Sequence, residues 1–320
     1  MVQLGYTLSS EEFRPNDLVH LAVQAEELGF DFASISDHYH PWMDSQGHSP
    51  FVWSTLGGIA ARTSRIPVMT GVTALSIRYH PTILAQAVAT VADMMPGRFR
   101  FGIGTGEALN EHVTGEVWPP VSIRQEMMIE SLEIMRELWQ GGYTTVQGNY
   151  YEVHNARLYT LPDELPPIIV GASGPESAEI AAEIGDALVS TSPDKEVADA
   201  FDAAGGSGKP KYGQITVCYG ADEEQAAQTA MDIWGYTILG GQASQELALP
   251  KHYQEAIQSV ITPEVIKESV VCGPDSAKYH EKVQAYIDAG YTHLYFHQVG
   301  QDQKSFFEFA KKELLPKYAG

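Results

Sequence analysis

The stretch SISDHYHPWMDSQGHSPFVW, residues 34–53, leaves an apolar run and then crowds Asp37, His38, His40, His48, Trp42 and Trp53 together. Carboxylates and imidazoles at this density serve either a metal centre or acid–base proton transfer. A metal centre needs three or four converging ligands. His38-x-His40 has the form found in barrel metallohydrolases, yet no histidine occurs between His154 and His252 to complete a set. Proton transfer needs only one imidazole that titrates near neutrality within reach of its proton. Asp37 and His38 meet that requirement, so no metal is expected. His40 and His48 read as hydrogen-bonding loop residues, Trp53 reads as core, and Trp42, beside Pro41, reads as part of the site.

Three further segments carry chemistry. In GIGTGEALNEHVTGEVWPP the glycines 102, 104 and 106 alternate, but Glu107 and Leu109 interrupt the Gly-x-Gly-x-x-Gly of a dinucleotide fold. The alternation suits backbone approaching a flat ligand, with Glu107 and Asn110 directed into the same mouth. In GASGPESAEI, Ser173 and Gly174 precede Pro175 at a helix start, where free N–H groups can hold a phosphate. Thr191-Ser192 offers hydroxyls nearby, and an ordinary helix cap explains these residues nearly as well. Gly71, inside the apolar TGVTAL, marks a bulge, a close backbone approach or a kink.

These residues share one property: each follows an apolar strand. Strands are expected at 4–8, 31–36, 66–75, 98–104, 166–173, 186–192, 214–220 and 292–300, with helical patterns between them. In PNDLVHLAVQAEELG, Leu18, Leu21, Ala22, Ala25 and Leu28 recur at helical spacing before Gly29. EELGFDFASI, AEIGDALVS and IDAGYTHLYF repeat a helix–glycine–strand junction, where glycine suits the left-handed residue after a helix. Apolar strands alternating with helices imply a parallel sheet, and eight of them favour a closed (β/α)8 TIM barrel, an α/β fold whose site lies at the strands' C-terminal ends. One barrel spanning 1–320 is expected, with insertions at about 141–162, a hairpin turning at Gly148-Asn149, and at about 235–270, short helices.

Composition excludes several classes. Hydrophobic residues make up 44%, which suffices for a full core. Acidic residues number 41 against 20 Lys plus Arg, a formal charge of −21, whereas a nucleic-acid binder needs a basic face. Cys218 and Cys272 have no metal or redox spacing and read as core thiols. No basic leader or membrane-length apolar run is present, so a soluble, cytoplasmic protein is expected, with neither membrane nor nucleic-acid partners.

Taken together, GYTLSSEEF, SDHYHPW, QGHSPF, RYHPTILAQAVAT, GIGTGEALNEHVTGEVWP and CGPD resemble the coenzyme F420 (deazaflavin)-dependent branch of the luciferase-like oxidoreductases, near its glucose-6-phosphate dehydrogenases. The likeness runs over nearly the whole chain. It implies a homodimeric barrel enzyme that passes hydride between an alcohol or sugar-type substrate and F420. Asp37 would contact the cofactor, His38 would take the hydroxyl proton, Trp42 would flank the reacting centre, Glu107 would be a partner acid and Glu11 would orient the histidine. Gly71-Val72 falls where the family carries a non-prolyl cis peptide. Thr105, Gly106 and Asn110 would touch the ring and its side chain, and Ala172, Ser173, Gly174, Thr191 and Ser192 would hold the cofactor phosphate.

The departures bear on the substrate. Asp194 and Glu268 stand where the sugar-phosphate enzymes carry a lysine and an arginine, with Lys195 one residue late. Two acids repel a dianionic phosphate, so a neutral alcohol, sugar or hydroxy-lipid is expected instead. The alternatives are an F420-dependent glucose-6-phosphate dehydrogenase and an FMN-dependent monooxygenase of the same fold, and the competing classes further off are a metal-dependent barrel hydrolase and a non-catalytic flavin-binding barrel.

Overall fold

A computed structural model describes residues 2–318. Its strands are β1 (Gln3–Leu8), β2 (Phe32–Ile35), β3 (Val68–Thr70), β4 (Thr73–Ala74), β5 (Phe99–Gly104), β6 (Thr144–Gln147), β7 (Glu152–Ala156), β8 (Ile168–Gly171), β9 (Ala187–Ser190), β10 (Lys211–Cys218), β11 (Val271–Cys272) and β12 (His293–Gln298). Eight of them pair in parallel around a closed ring: β1, β2, β3, β5, β8, β9, β10, β12 and back to β1. This is the expected (β/α)8 barrel. Parallel closure puts every strand's C-terminal end on one rim, so six separated stretches of sequence become neighbours there.

The eight strands are where the apolar runs foretold them, with three differences. The expected strand 66–75 breaks in two. Thr70 Oγ1 donates to Gly102 O at 2.8 Å and accepts from Gly102 N at 2.9 Å, replacing the regular ladder. A cis Gly71–Val72 peptide follows, and β4 resumes the pairing with β5. The seventh barrel strand starts at Lys211, three residues early, because the lysine stem is buried and its ammonium pairs with Asp202 at 2.7 Å. An extra two-residue strand, β11, widens the sheet beside the upper end of β10.

The helix–glycine–strand junctions divide by cause. Gly29 and Gly290 have φ of 90° and 94°, the left-handed conformation that glycine accepts without penalty. Gly185 is extended, at φ −109°. A Cβ there would lie 2.6 Å from Val170 Cγ2, so close approach rather than handedness excludes a side chain. The expected insertions take the forms anticipated. β6 and β7 form an antiparallel hairpin turning at Gly148-Asn149, and short helices cover Ala243–Glu246, Pro250–Ile257 and Pro263–Ser269.

Inside the barrel, Phe32, Met69, Ile169, Ala187, Val189, Tyr212 and Tyr295 pack into one cluster, with Val72 capping it. The alternating glycines serve this packing. A Cβ on Gly102 would sit 1.8 Å from Thr70 O, and one on Gly104 would sit 2.8 Å from Val72 Cγ2. The space cleared by Gly102 and Gly104 is therefore filled by the protein's own Thr70–Val72 turn, not held open for a ligand's approach. Gly102→Ala is expected to destabilise by about 1–3 kcal/mol or more, the cost of overpacking a filled interior. Gly142→Ala, which meets nothing within 4 Å, should stay within about 0.5 kcal/mol. Urea-unfolding midpoints of the two variants make the comparison.

Candidate active site

Going around the rim from β1, the loops carry Glu11, then Asp37 and His38, then Val72, then Thr105 to Asn110, then Ala172 to Gly174, then Thr191 and Ser192. The barrel thus brings these loops to one rim, each following the end of a strand.

Glu11 is 1% exposed and accepts from Ser9 Oγ at 3.0 Å and Ser36 Oγ at 2.7 Å. These bonds fix its carboxylate, whose other oxygen lies 3.5 Å from His38 Nδ1. His40 O is also 3.3 Å from Nδ1. The tautomer with its proton on Nδ1 suits both acceptors and leaves Nε2 with the free lone pair. Trp42 packs on the imidazole with ring centroids 4.9 Å apart. Of the remaining loop histidines, His40 is occupied as expected, its Nδ1 lying 3.0 Å from Leu109 O, while His48 is tied to the site through its backbone, its N–H donating to Glu11 O at 2.9 Å.

Asp37 is buried and fully engaged. Its carboxylate accepts from Thr73 Oγ1 at 2.9 Å, Tyr79 OH at 3.1 Å and Arg78 Nη2 at 3.0 Å. Arg78 Nε also lies 3.4 Å from Glu111 Oε1, and Glu111 Oε2 accepts the backbone N–H of Ile77 and Arg78. Burial opposes the Arg78 charge, but Asp37, Tyr79 and Glu111 outweigh it and its pKa is raised. Burial lifts Glu111 above the usual carboxylate range, and Arg78 offsets part of that lift. No motif singles out Arg78, Tyr79 or Glu111. The signal lay in RYHP and in LNEH, where ionisable residues flank the singled-out positions.

Asn110 is 1% exposed, and its Oδ1 accepts from Tyr39 N at 2.8 Å and His40 N at 3.1 Å. Its amide faces Glu107 at 3.4 Å. Its Oδ1 thus holds the 38–42 loop against the 105–111 loop, while its amide braces Glu107 within the latter. Gly106, at φ 78°, turns the chain between them, and a Cβ there would come within 2.8 Å of Ala74 Cβ. At the far side, Ala172 N donates to Val189 O, which sets residues 172–174 beside 191–192. Ser177 Oγ accepts from the N–H of both Ser173 and Gly174 at 3.1 Å, as a helix cap does. Ser173, Thr191 and Ser192 are exposed.

Two features were not legible in the motifs. Glu12 turns away from Glu11 toward β12, where Oε1 lies 3.1 Å from His297 Nε2 and Oε2 accepts from Gly300 N at 2.7 Å. The segment after β10 also folds over the mouth. Tyr236 stacks on Trp42 at 4.3 Å with planes 10° apart, and Arg124, fully buried, bonds Gln245 at 2.8 Å. Asp194 caps the helix Lys195–Phe201 by accepting from Glu196 N and Val197 N, while Lys195 pairs with Asp199. Glu268 is exposed.

A parallel (β/α)8 barrel with a non-prolyl cis peptide behind an acid–histidine rim defines a luciferase-like fold. The chain belongs to the luciferase-like monooxygenase family, which it matches over residues 1–293. More particularly, it is 36% identical over 331 residues to the F420-dependent glucose-6-phosphate dehydrogenase of Mycobacterium avium strain 104, covering 99% of this chain and 98% of the relative. The enzyme of that name from Microbacterium testaceum strain StLB037 is 34% identical over 328 residues, covering 99% and 97%. Among solved structures, an F420-dependent secondary alcohol dehydrogenase in complex with an F420-acetone adduct superposes with a TM-score of 0.90 at 29% identity, covering 98% of each chain.

Arg78→Met should leave Asp37 and Glu111 without their cation and destabilise by about 3–5 kcal/mol near pH 8. Its pH dependence follows from Glu111, whose folded pKa already lies above 4.5 and rises further without Arg78. Stability that depends on the protonated carboxyl is present below pH 4.5 and falls as pH rises through the folded value. The deficit against wild type should therefore be smaller at pH 5 than at pH 8. Urea unfolding at both values measures it, and an equal deficit at both would contradict the assignment.

Proposed function

We propose that this protein is a coenzyme F420-dependent oxidoreductase that interconverts a neutral alcohol or sugar-type CH–OH group and its carbonyl. The observation that carries the reading is the Glu11–His38–Trp42 arrangement on the rim beside Val72. It joins an oriented base to an aromatic wall and an apolar floor.

The residues suit a flat deazaflavin with a phosphate-bearing side chain. Val72, held up by Gly104 and Gly171, offers an uncharged surface for a ring. Thr105 and Gly106 would lie along the ring's edge, and Asn110 would act by holding the loops on either side. Gly174 has open space beside it at the start of a ten-residue helix, and Ser173, Thr191 and Ser192 are exposed on that loop and the adjoining one. That donor set suits a phosphate. Asp37, engaged on both oxygens, would meet the cofactor while keeping Arg78 and Tyr79 in place. When bound, F420 supplies the two-electron acceptor that an alcohol oxidation requires.

The chain's own part is proton transfer and orientation. His38 Nε2 accepts the hydroxyl proton, Glu11 holds the ring and stabilises the imidazolium, Trp42 limits where the carbinol carbon sits, and Glu107 faces the site as second acid. The lack of a lysine or arginine at 194 and 268 supports a substrate without phosphate. The secondary alcohol dehydrogenase fold-mate supports a small neutral one. The family's name supports a second reading, an FMN-dependent monooxygenase, which a cofactor titration separates. The proposal extends to one barrel unit per chain acting in the cytoplasm as a homodimer. Exposed Phe51 and Ile83 give apolar surface for a second copy, and sedimentation velocity reads the mass.

F420 is expected to bind with a dissociation constant of about 1 μM or better, roughly −8 kcal/mol, and FMN far more weakly. Fluorescence titration of both decides, and tight FMN binding without F420 binding would reject the reading. His38→Ala should cut alcohol turnover by ~10²–10⁴ while F420 affinity changes little. His40→Ala should be nearly silent in turnover, and the reverse pattern would move the base to His40. Glucose-6-phosphate should support F420 reduction far more slowly than the best neutral alcohol.

A further inference from the structure

His38 leans on two neighbours, the Glu11 carboxylate and the Trp42 ring. Both neighbours are held in turn by a buried pair, Glu12 and His297, each 1% exposed.

Glu11 and Glu12 belong to the turn after β1, closed by Glu12 N donating to Ser9 O at 3.2 Å. Toward β2 the turn is tied by Ser10, whose N–H donates to Ser36 Oγ at 2.9 Å and whose hydroxyl donates to Ser36 O at 2.8 Å. Toward β12 it is tied through Glu12. Oε1 pairs with His297 Nε2 at 3.1 Å, Oε2 accepts from Gly300 N at 2.7 Å, and the backbone O accepts from Gln301 Nε2 at 3.2 Å. A carboxylate only accepts, so the proton between Oε1 and Nε2 belongs to the imidazole. His297 Nδ1 has no partner among the described residues, so Glu12 is the polar tie on that ring.

The position of Glu11 depends on this anchor. Both hydroxyl bonds to Glu11, from Ser9 and Ser36, fall on Oε2. Oε1, the oxygen facing His38, is left to be placed by the backbone of the turn. At 3.5 Å its contact with Nδ1 is at the limit of hydrogen bonding, so a retreat of about half an ångström removes it. The same His297 ring supports the second neighbour. Trp234 stands edge-on to it with centroids 4.1 Å apart, Tyr236 packs on Trp234 at 5.0 Å, and Trp42 stacks on Tyr236 at 4.3 Å.

We propose that Glu12 and His297 are positioning residues for the proton transfer: through the turn after β1 they hold Glu11 against His38, and so set how well the imidazolium is stabilised. The proposal rests on the reading of His38 as the base.

Two substitutions at His297 separate the hydrogen bond from the packing. His297→Phe keeps a ring against Trp234 and loses the donor, whereas His297→Gln keeps a donor near the place of Nε2 and loses the ring. Glu12→Gln is a milder probe, since its amide oxygen can still accept from Gly300 N. Histidine NMR on the protein without cofactor follows the His38 imidazole, identified by its loss in His38→Ala. With Glu11 withdrawn the protonated ring is less stabilised, so the His38 titration midpoint should fall by about one pH unit in His297→Phe and Glu12→Gln. With F420 and a panel of propan-2-ol, cyclohexanol and glucose, kcat should fall by about 10- to 10²-fold in both. KM and F420 affinity should stay within about twofold, because the pair touches neither ligand. His297→Gln should return the midpoint to the wild-type value and kcat to within about threefold of it.

An unmoved His38 midpoint in His297→Phe and Glu12→Gln would overturn the proposal, whatever happens to the melting temperature, and wild-type turnover would leave the dehydrogenase reading intact. A His297→Gln variant as impaired as His297→Phe would also overturn it, by assigning the effect to the ring rather than the bond. If His297→Phe does not fold, Glu12→Gln decides on the same two measurements. If the midpoints move as stated and wild type binds F420 but oxidises no alcohol in the panel, the dehydrogenase reading fails and the positioning of His38 stands.

Discussion

The guanidinium of Arg78 is the point on which the rim depends. It sits between Asp37, after β2, and Glu111, after β5, and is itself carried by the loop after β4. A buried cation is tolerable only when paired and hydrogen-bonded, and so are buried carboxylates. Each of the three charges therefore requires the other two, and three separate loops are locked together by that mutual requirement. Asp37 precedes His38 directly, so the same lock sets the backbone from which the imidazole projects. Tyr79, held to Asp37 and lying under the Arg78 guanidinium at 4.5 Å, closes the cluster on its apolar side.

Beneath this charge cluster the barrel provides a floor by exclusion of side chains. Thr70, Gly71 and Val72 leave the regular β path, and the turn fits only because Gly102 and Gly104 present bare backbone opposite it. Val72 is thereby lifted to the top of the interior cluster, an apolar surface framed by polar loops. Above, the aromatic group of Trp42, Trp234, Tyr236 and Tyr253 joins the β2 loop to the segment following β10. Charge is held by pairing at the side of the site, while apolar surfaces form its floor and roof. Such a division suits a reaction in which charge develops briefly and water must stay out.

The acids of the chain have several physical roles here. Glu11 and Glu12 are adjacent in sequence yet reach in opposite directions, one to His38 on the β2 side and the other to His297 on the β12 side. Asp194 is a helix cap, its oxygen occupied by backbone N–H groups. The adjacent lysine, Lys195, is paired with Asp199. The proposal of a substrate without phosphate thus rests on which cations are absent as much as on which groups are present.

Much was determined by the sequence alone. Apolar runs of strand length, helix periodicity and glycine junctions are local properties, and they specified the eight barrel strands and the insertions at 141–162 and 235–270. The strand-end position of Asp37, His38, Glu107 and Ser173 is also local, which made the rim legible once a barrel was inferred. Other features were decided by tertiary structure because they depend on what lies opposite in space. The glycines 102 and 104 looked like room for a ligand, but the space belongs to Thr70 and Val72, which are some thirty residues away in the chain. Lys211 begins a strand because Asp202 neutralises it. Arg78, Glu111 and Tyr236 gained their roles from partners in other loops, and no periodicity or spacing records such a meeting. Short-range pattern fixes the element, whereas a buried charge or a stacked ring takes its role from partners that only the closed barrel brings together.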